Sequence, residues 1–476
     1  MSSHRVLRLI LTMSKIWNRF LGFNTFWDSR FEDVTRETWL TTTYRDLSAG
    51  LIVALTAIPM AMGFAMAMGL KPEQGIIAGA LACIVGRTWG GSKYQVYGPT
   101  AAFIPVIGGL ITKYSGEAGS NFSEAHGFLV LCSCIAGVIL MVMGLLGLGR
   151  YAKLVPNSIV VGFTLGISVA IALSNIGEAF GLQHPIKGGF FEKMSLIGTH
   201  IGEFNGYAFF LAMLTFVMTR YLLKVSVFIP APLLALGLST VLAATVFSDK
   251  GISVVADKYG HIPTNFFVFT PPQLPPVTGA LMLDLVYFVL AIVFVSGVES
   301  LLCSSMADRL ANNRKTPFNP DKEFWGQGLV QIITPLMNGF PCTGALARTA
   351  TSIKAGAVTP FAGYFKGVLK ILMAIFLAPW LERVPMACIG GILLWVASNM
   401  FKMAEIREVW RHDRFHAFLM VYTAIMVPLT DFLAGVLSAL VIYALLFKFL
   451  EKPPVPCQPH EPTEPKHEAA IDQDVS

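Results

Sequence analysis

Two charged side chains stand alone in apolar surroundings and set the chemistry to be explained, Glu299 and Arg348. Glu299 is the single charge between Leu285 and Ala307; an acid in a membrane helix costs about 2.5–3.5 kcal/mol on insertion scales, so something must offset it. Arg348 lies in Phe340–Gly356, reading FPCTGALARTATSIKAG. Pro341 and Gly344 oppose a regular helix at the start of that stretch, whereas Ala345–Ser352 favours one, so an extended piece should lead into a half-helix. The first N–H groups of such a half-helix have no intrahelical partner and carry about +0.5 of an elementary charge, which suits an anion. Arg348 sits one turn further in. A second stretch, Gln95–Gly109 (QVYGPTAAFIPVIGG), has the same design: Val96 and Tyr97 extended, a break at Gly98-Pro99, and helix-compatible sequence from Thr100. Two short segments interrupted by Gly and Pro in corresponding halves of a chain point to a transporter site at mid-membrane.

The charges around such a site favour an anion over a cation. Two half-helix ends supply about +1, Arg348 adds one positive charge, and an ionised Glu299 removes one. Each residue also has a plainer reading. Arg348 could snorkel to the cytoplasmic end of its half-helix, with Lys354 following six residues later, and Glu299 could be its ion-pair partner or a helix cap. Lys366 and Lys370 read as marking the cytoplasmic end of a span, with help in attracting anions as the alternative, and Asn175 and Glu178 as a helix end on the opposite side. Protonation of Glu299 during a transport cycle would relieve the cost of burying its charge.

The elements that must position these residues follow from composition. The chain is 54% hydrophobic and 13% charged, with a mean hydropathy of +0.62, against about 25% charged in soluble domains. It is therefore an all-α polytopic membrane protein, and uncharged runs such as Gly127–Gly149 and Leu154–Gly177 exclude a closed β-barrel. From Asp46, about 14 candidate spans are legible near 47–70, 72–88, 95–112, 126–148, 155–177, 207–223, 229–247, 282–306, 323–339, 341–355, 359–381, 384–401, 414–430 and 432–449. Dividing them at the loop Asp249–Pro276 leaves seven on each side. An odd number per half inverts one half against the other, with the broken segments third in each. The expected organisation is a cytoplasmic segment 1–45 bearing a basic amphipathic helix, a transporter domain 46–450 (repeat one 46–248, repeat two 280–450), and a disordered tail 451–476. Basic residues such as Arg87, Arg150, Arg220, Arg309 and Arg407 fall on the side of the basic N-terminus, which places both termini in the cytoplasm. The net charge of +6 speaks to orientation rather than nucleic acid. Seven cysteines without a C-x-x-C pair indicate neither a disulfide framework nor a zinc site, and no metal ligands are expected. No Walker loop, activated nucleophile or metal-ligand spacing indicates an enzyme, and no cofactor is expected.

DLSAGLIVALTAIPMAMGFAMAMGL (46–70), QVYGPTAAF (95–103) and PCTGALART (341–349) resemble the SulP family of sulfate permeases and related anion transporters, and the likeness covers most of residues 45–450. The resemblance implies two inverted seven-helix repeats, a core domain moving against a gate domain, and a homodimer in the membrane. It implies an anion held between half-helices 3 and 10 by Met60, Phe64, Thr100, Ala101, Gly344, Ala345, Leu346, Ala347 and Arg348, with Glu299 and Cys303 at the coupling position. From the residues alone, Met60 and Phe64 read as core packing.

Three departures from the family pattern matter. Many relatives carry Gln at position 60 and Ser at 347, so Met60 and Ala347 leave this site more dependent on backbone N–H groups. Sodium-coupled bicarbonate relatives carry Asp at 299 with hydroxyls near 303 and 346, whereas Cys303 and Leu346 are poor ligands for a hard cation. The residues after Glu451 are too few for the STAS domain usual in the family. The reading is a sodium-independent secondary transporter of sulfate, bicarbonate or a dicarboxylate, proton-coupled or exchanging, in a bacterial inner membrane. The rivals are a nucleobase permease, expected to carry a carboxylate in place of Arg348, an anion channel and a non-transporting scaffold.

Overall fold

The computed structural model describes residues 14–450, apart from 26, 117–120, 151–155, 185, 187, 227, 264, 276–278 and 431. The tail 451–476, and Arg5 and Arg8 of the expected basic helix, lie outside the described residues. Seven helices or continuous helical runs among the described residues are long and apolar enough to cross a membrane, with four shorter apolar helices beside them. The long ones include α1 (Trp39–Ala67), α4 (Phe122–Leu146), α5 (Asn157–Phe180), α7 (Gly206–Val225), α10 (Gly279–Leu310) and α13 (Phe361–Leu381). Between them lie α2 (Pro72–Trp89), α3 (Ile104–Tyr114), the short α6 (Phe190–His200), α8 (Ala231–Thr245), α9 (Val255–Tyr259), α11 (Pro320–Leu336) and α12 (Leu346–Lys354). The chain continues through α14 (Met386–Met400), α15 (Met403–His412), α16 (Arg414–Leu429) and α17 (Phe432–Leu450).

The helices pack as two groups. In one, α4 lies on α11, α13 on both α1 and α2, α2 on α11, and α10 on α4; in the other, α5 and α7 pack on α14, α16 on α5, and α8 on α7. Small residues allow the close approaches that van der Waals packing in a bilayer requires. A Cβ on Gly75 would sit 2.0 Å from the Ala61 carbonyl, which brings the α1 and α2 backbones into contact.

Both breaks fall where Pro and Gly foretell them. β1 (Tyr97–Gly98) and β2 (Thr343–Gly344) pair antiparallel, Tyr97 opposite Gly344 and Gly98 opposite Thr343. The pairing is extended by the Ala345 N–H donating to the Val96 carbonyl at 2.9 Å and the Thr349 hydroxyl accepting from Val96 N at 2.9 Å. Thr100 caps a 3-10 turn, Ala101–Phe103, that runs into α3, and Ala345 caps α12, so neither residue belongs to the first turn itself.

One buried carboxylate anchors this arrangement. Glu323, fully buried in the first turn of α11, accepts from Gly91 N–H at 2.8 Å, the Tyr97 hydroxyl at 2.7 Å, Gln95 Nε2 at 2.9 Å and the Ser300 hydroxyl at 2.5 Å. It thereby ties β1 to α10 and α11. The described part of the N-terminal segment docks on the same end of the bundle. Arg19 donates to the Leu145 carbonyl at 3.0 Å, Phe20 meets Trp325 edge-on, and Arg30 donates to the carbonyls of Arg87, Thr88 and Gly90.

Glu323→Ala strands four buried donors, each worth about 1–3 kcal/mol when left unpaired. Most of the folded protein should be lost, while Glu323→Gln, which keeps an acceptor oxygen, should recover much of it. Monodisperse yield and melting temperature in detergent are the measurements; an alanine variant melting within about 2 °C of the parent sinks the anchoring role.

Candidate anion site

The lead-ins to α3 and α12 meet through β1 and β2, so the two helical N-termini are fixed against each other by backbone pairing. The leading N–H groups of α12, from Leu346 to Arg348, have no intrahelical acceptor by helix geometry.

Arg348 turns inward. Its side chain is buried, Nη2 donates to the Pro99 carbonyl, and Nη1 is buried without a hydrogen-bond partner. The snorkelling reading is therefore not what the fold adopts. A Cβ at residue 98 would stand 3.0 Å from Nη1, and Gly98 has φ +155°, so glycine there makes room for the guanidinium.

Glu299 is half-buried and accepts from the Thr100 hydroxyl at 2.9 Å, joining α10 to the cap of the first half-helix. It makes no ion pair with Arg348 within 4.0 Å. Cys303, one turn on, lies 3.3 Å from the Thr349 hydroxyl through Sγ, and a Cβ on Gly344 would meet the Cys303 Cβ at 2.9 Å. Thr100, Ala101, Gly344, Ala345 and Cys303 are buried, Leu346 is half-buried and Ala347 is exposed. Phe64 is buried in the apolar core and Met60 packs against it half-buried, both on α1, which packs on α12. The expected residues thus divide between the two helix ends (Thr100, Ala101, Gly344–Arg348), the facing side of α10 (Glu299, Cys303) and α1.

Lys366 and Lys370 depart from expectation. They lie in the first half of α13 and are fully buried, where an end-of-span lysine would be expected to reach solvent. Lys366 Nζ donates to the Tyr97 carbonyl at 2.8 Å and Lys370 Nζ to the Gly75 carbonyl at 3.2 Å, beside Gly79, where a Cβ would fall 2.2 Å from Lys370 Nζ. A legible signal is the spacing of Gly363, Lys366, Gly367 and Lys370, which puts both lysines on the small-residue face that packs against α2. Sequence reasoning misses Glu323 because an acid in a helix's first turn is ordinarily a surface residue answering the dipole. Asn175 is also buried, bonded to the Ile171 carbonyl at 2.7 Å, while Glu178 pairs with Lys258.

A family model described as the sulfate permease family matches residues 44–423. YvdB of Bacillus subtilis (strain 168) is 36% identical over 404 residues, spanning 85% of this chain and 73% of that protein. The bicarbonate transporter BicA of Picosynechococcus sp. is 26% identical over 396 residues, spanning 82% of this chain and 68% of that protein. The fold is similar to the solved transmembrane domain of a cyanobacterial bicarbonate transporter BicA, with a TM-score of 0.70 at 22% identity, covering 83% of this chain and 97% of that one. With four-fifths of its length matched, this chain belongs to the sulfate permease family, an integral membrane transporter and not an enzyme.

Proposed function

We propose that the chain is a secondary active transporter of a small oxyanion or carboxylate, in the class of sulfate, bicarbonate or a dicarboxylate, binding it between the N-termini of the two half-helices. The observation that carries this reading is the buried, unpartnered Nη1 of Arg348 beside two helix ends held together by β1 and β2. A buried guanidinium donor without an acceptor is costly, and an anion would satisfy it with a charge-assisted hydrogen bond. Thr100, Ala101 and Gly344–Arg348 are the proposed contacts, Met60 and Phe64 the apolar wall, and Glu299 with Cys303 the coupling position. Lys366 and Lys370 add positive potential behind the site.

The spans are proposed to form two inverted seven-span repeats. In support, the packing pairs exchange when the halves are exchanged: α4 on α11 matches α2 on α13, α1 on α13 matches α4 on α10, and α5 on α16 matches α7 on α14. The first group with the half-helices would be the body that moves against the second, elevator fashion, in a homodimer of the bacterial inner membrane with both termini cytoplasmic. Segment 46–450 is the proposed transporter domain.

Arg348→Ala should weaken anion binding at least tenfold, since hydrogen bonds to charged groups contribute about 1.5–3 kcal/mol. Calorimetric titration with sulfate and with bicarbonate checks this, and unchanged affinity for an anion the parent binds removes Arg348 from the site. Uptake in proteoliposomes should not change when choline replaces sodium; a large fall in rate would mean that Cys303 and Leu346 do not preclude a cation site. Glu299→Gln should keep anion binding yet lose accumulation driven by an inward proton gradient. Accumulation equal to the parent's would make Glu299 structural.

A further inference from the structure

The connection from α5 to α7 brings together three metal-ligating side chains that the anion site does not use. His184 comes after the end of α5, His200 is the last residue of α6, and Glu203 closes the 3-10 turn Ile201–Glu203 just after it. His184 Nδ1 lies 2.7 Å from Glu203 Oε1, and the two imidazole rings are 4.5 Å apart between centroids at 35°. One ligand-type atom from each of the three lies within 4.8 Å of the others.

The scaffold beneath them is tied. The Asn205 N–H donates to the Phe180 carbonyl at 3.0 Å, and Phe180 and Phe204 stack edge-on with centroids 5.5 Å apart, so the chain leaving α5 and the chain entering α7 are joined at their base. The ligands are also oriented from behind. His200 Nδ1 lies 3.0 Å from both the Leu196 carbonyl and the Thr199 hydroxyl, contacts that hold the ring with Nε2 pointing away from them. Glu203 Oε2 accepts from the Gln183 N–H at 3.2 Å. Backbone carbonyls behind metal-binding imidazoles serve this purpose generally.

We propose that His184, His200 and Glu203 form a binding site for a divalent transition-metal ion, of which zinc is the best fit, with the fourth coordination position open. Two imidazoles and one carboxylate suit zinc and not calcium or magnesium, which take oxygen ligands. Ligand atoms at about 2.0–2.1 Å from a tetrahedral ion stand roughly 3.3 Å from one another, a spacing between the 2.7 Å pair and the 4.8 Å limit seen here. The ion would replace the His184–Glu203 hydrogen bond and would clasp the end of α6 to the end of α5. His184 is 62% exposed, so the site is open to solvent.

The test uses the full chain in detergent, stripped with chelator and titrated with Co²⁺ and then Zn²⁺ alone. One Co²⁺ per chain should give a visible d–d band of tetrahedral intensity, and Zn²⁺ should displace it. His184→Ala and His200→Ala should each weaken zinc binding at least tenfold on calorimetry. His261→Ala, at an exposed histidine paired with Glu382 outside the cluster, should leave binding unchanged. Zinc should raise the melting temperature of the parent and not that of His200→Ala, which separates binding at this cluster from any effect of the substitution on folding. No binding up to about 100 μM zinc, or affinity unmoved by both substitutions, would overturn the site and leave only a surface histidine–glutamate pair.

Discussion

Basic side chains buried without a carboxylate beside them are the constraint on which the middle of this molecule depends. Arg348, Lys366 and Lys370 are buried, and none is ion-paired among the described residues. Isolated charge in a low-dielectric interior is tolerated only with good hydrogen bonding. The acceptors are backbone carbonyls: Pro99 for Arg348, Tyr97 for Lys366 and Gly75 for Lys370. Two of those three lie in the stretch that breaks before the first half-helix. A continuous helix would have turned those carbonyls into its own ladder, so the Gly98-Pro99 break is what makes room for cations in the interior. The glycines serve the same end. Gly98 and Gly79 leave the space that the guanidinium and the Lys370 ammonium fill.

The two acids near this region are held in opposite ways. Glu323 is enclosed by a backbone N–H, a phenol, a carboxamide and a hydroxyl, so little of its acceptor capacity is left for anything that moves. Glu299 has one donor, the Thr100 hydroxyl, and is half-buried. A carboxylate saturated by fixed donors is a structural element, and one held by a single rotatable hydroxyl can change its partner or protonation state at small structural cost. That contrast is why the coupling role is proposed for Glu299 and the anchoring role for Glu323, although both are acids within apolar surroundings.

The breaks and the inward half-helix are legible in the sequence because Pro and Gly act locally. Pro341 and Gly344, like Gly98 and Pro99, disfavour helix whatever surrounds them, and the structure moves the helical starts by only a residue, from Ala345 to Leu346 and from Thr100 to Ala101. Pairing of Tyr97 with Gly344 is not legible, since strands of two residues have no periodicity and their partner is set by tertiary packing. Lys366 and Lys370 mislead for an identifiable reason. A lysine near the end of an apolar run is ordinarily solvated, but the small-residue face of α13 carries both side chains into the interior. Glu323 escapes notice because a first-turn acid needs no buried partner to be explained.

The proposed transport role places a further demand on this charge arrangement. At the half-helices Arg348 and an ionised Glu299 cancel formally, and the two helix ends leave a surplus of about one positive charge. Moving each uncompensated charge through a membrane potential exchanges about 2.3 kcal/mol per 100 mV. A singly charged anion would balance that surplus, and a doubly charged one would balance it once Glu299 had taken up a proton. Protonating Glu299 without an anion raises the surplus to about two, so on the proposed mechanism a protonated and empty body would be the state least suited to cross. Coupling would then rest on electrostatics, because the proton is tolerated in the interior chiefly when the anion has entered beside it. The same surplus opposes a cation at the site independently of the poor ligands offered by Cys303 and Leu346.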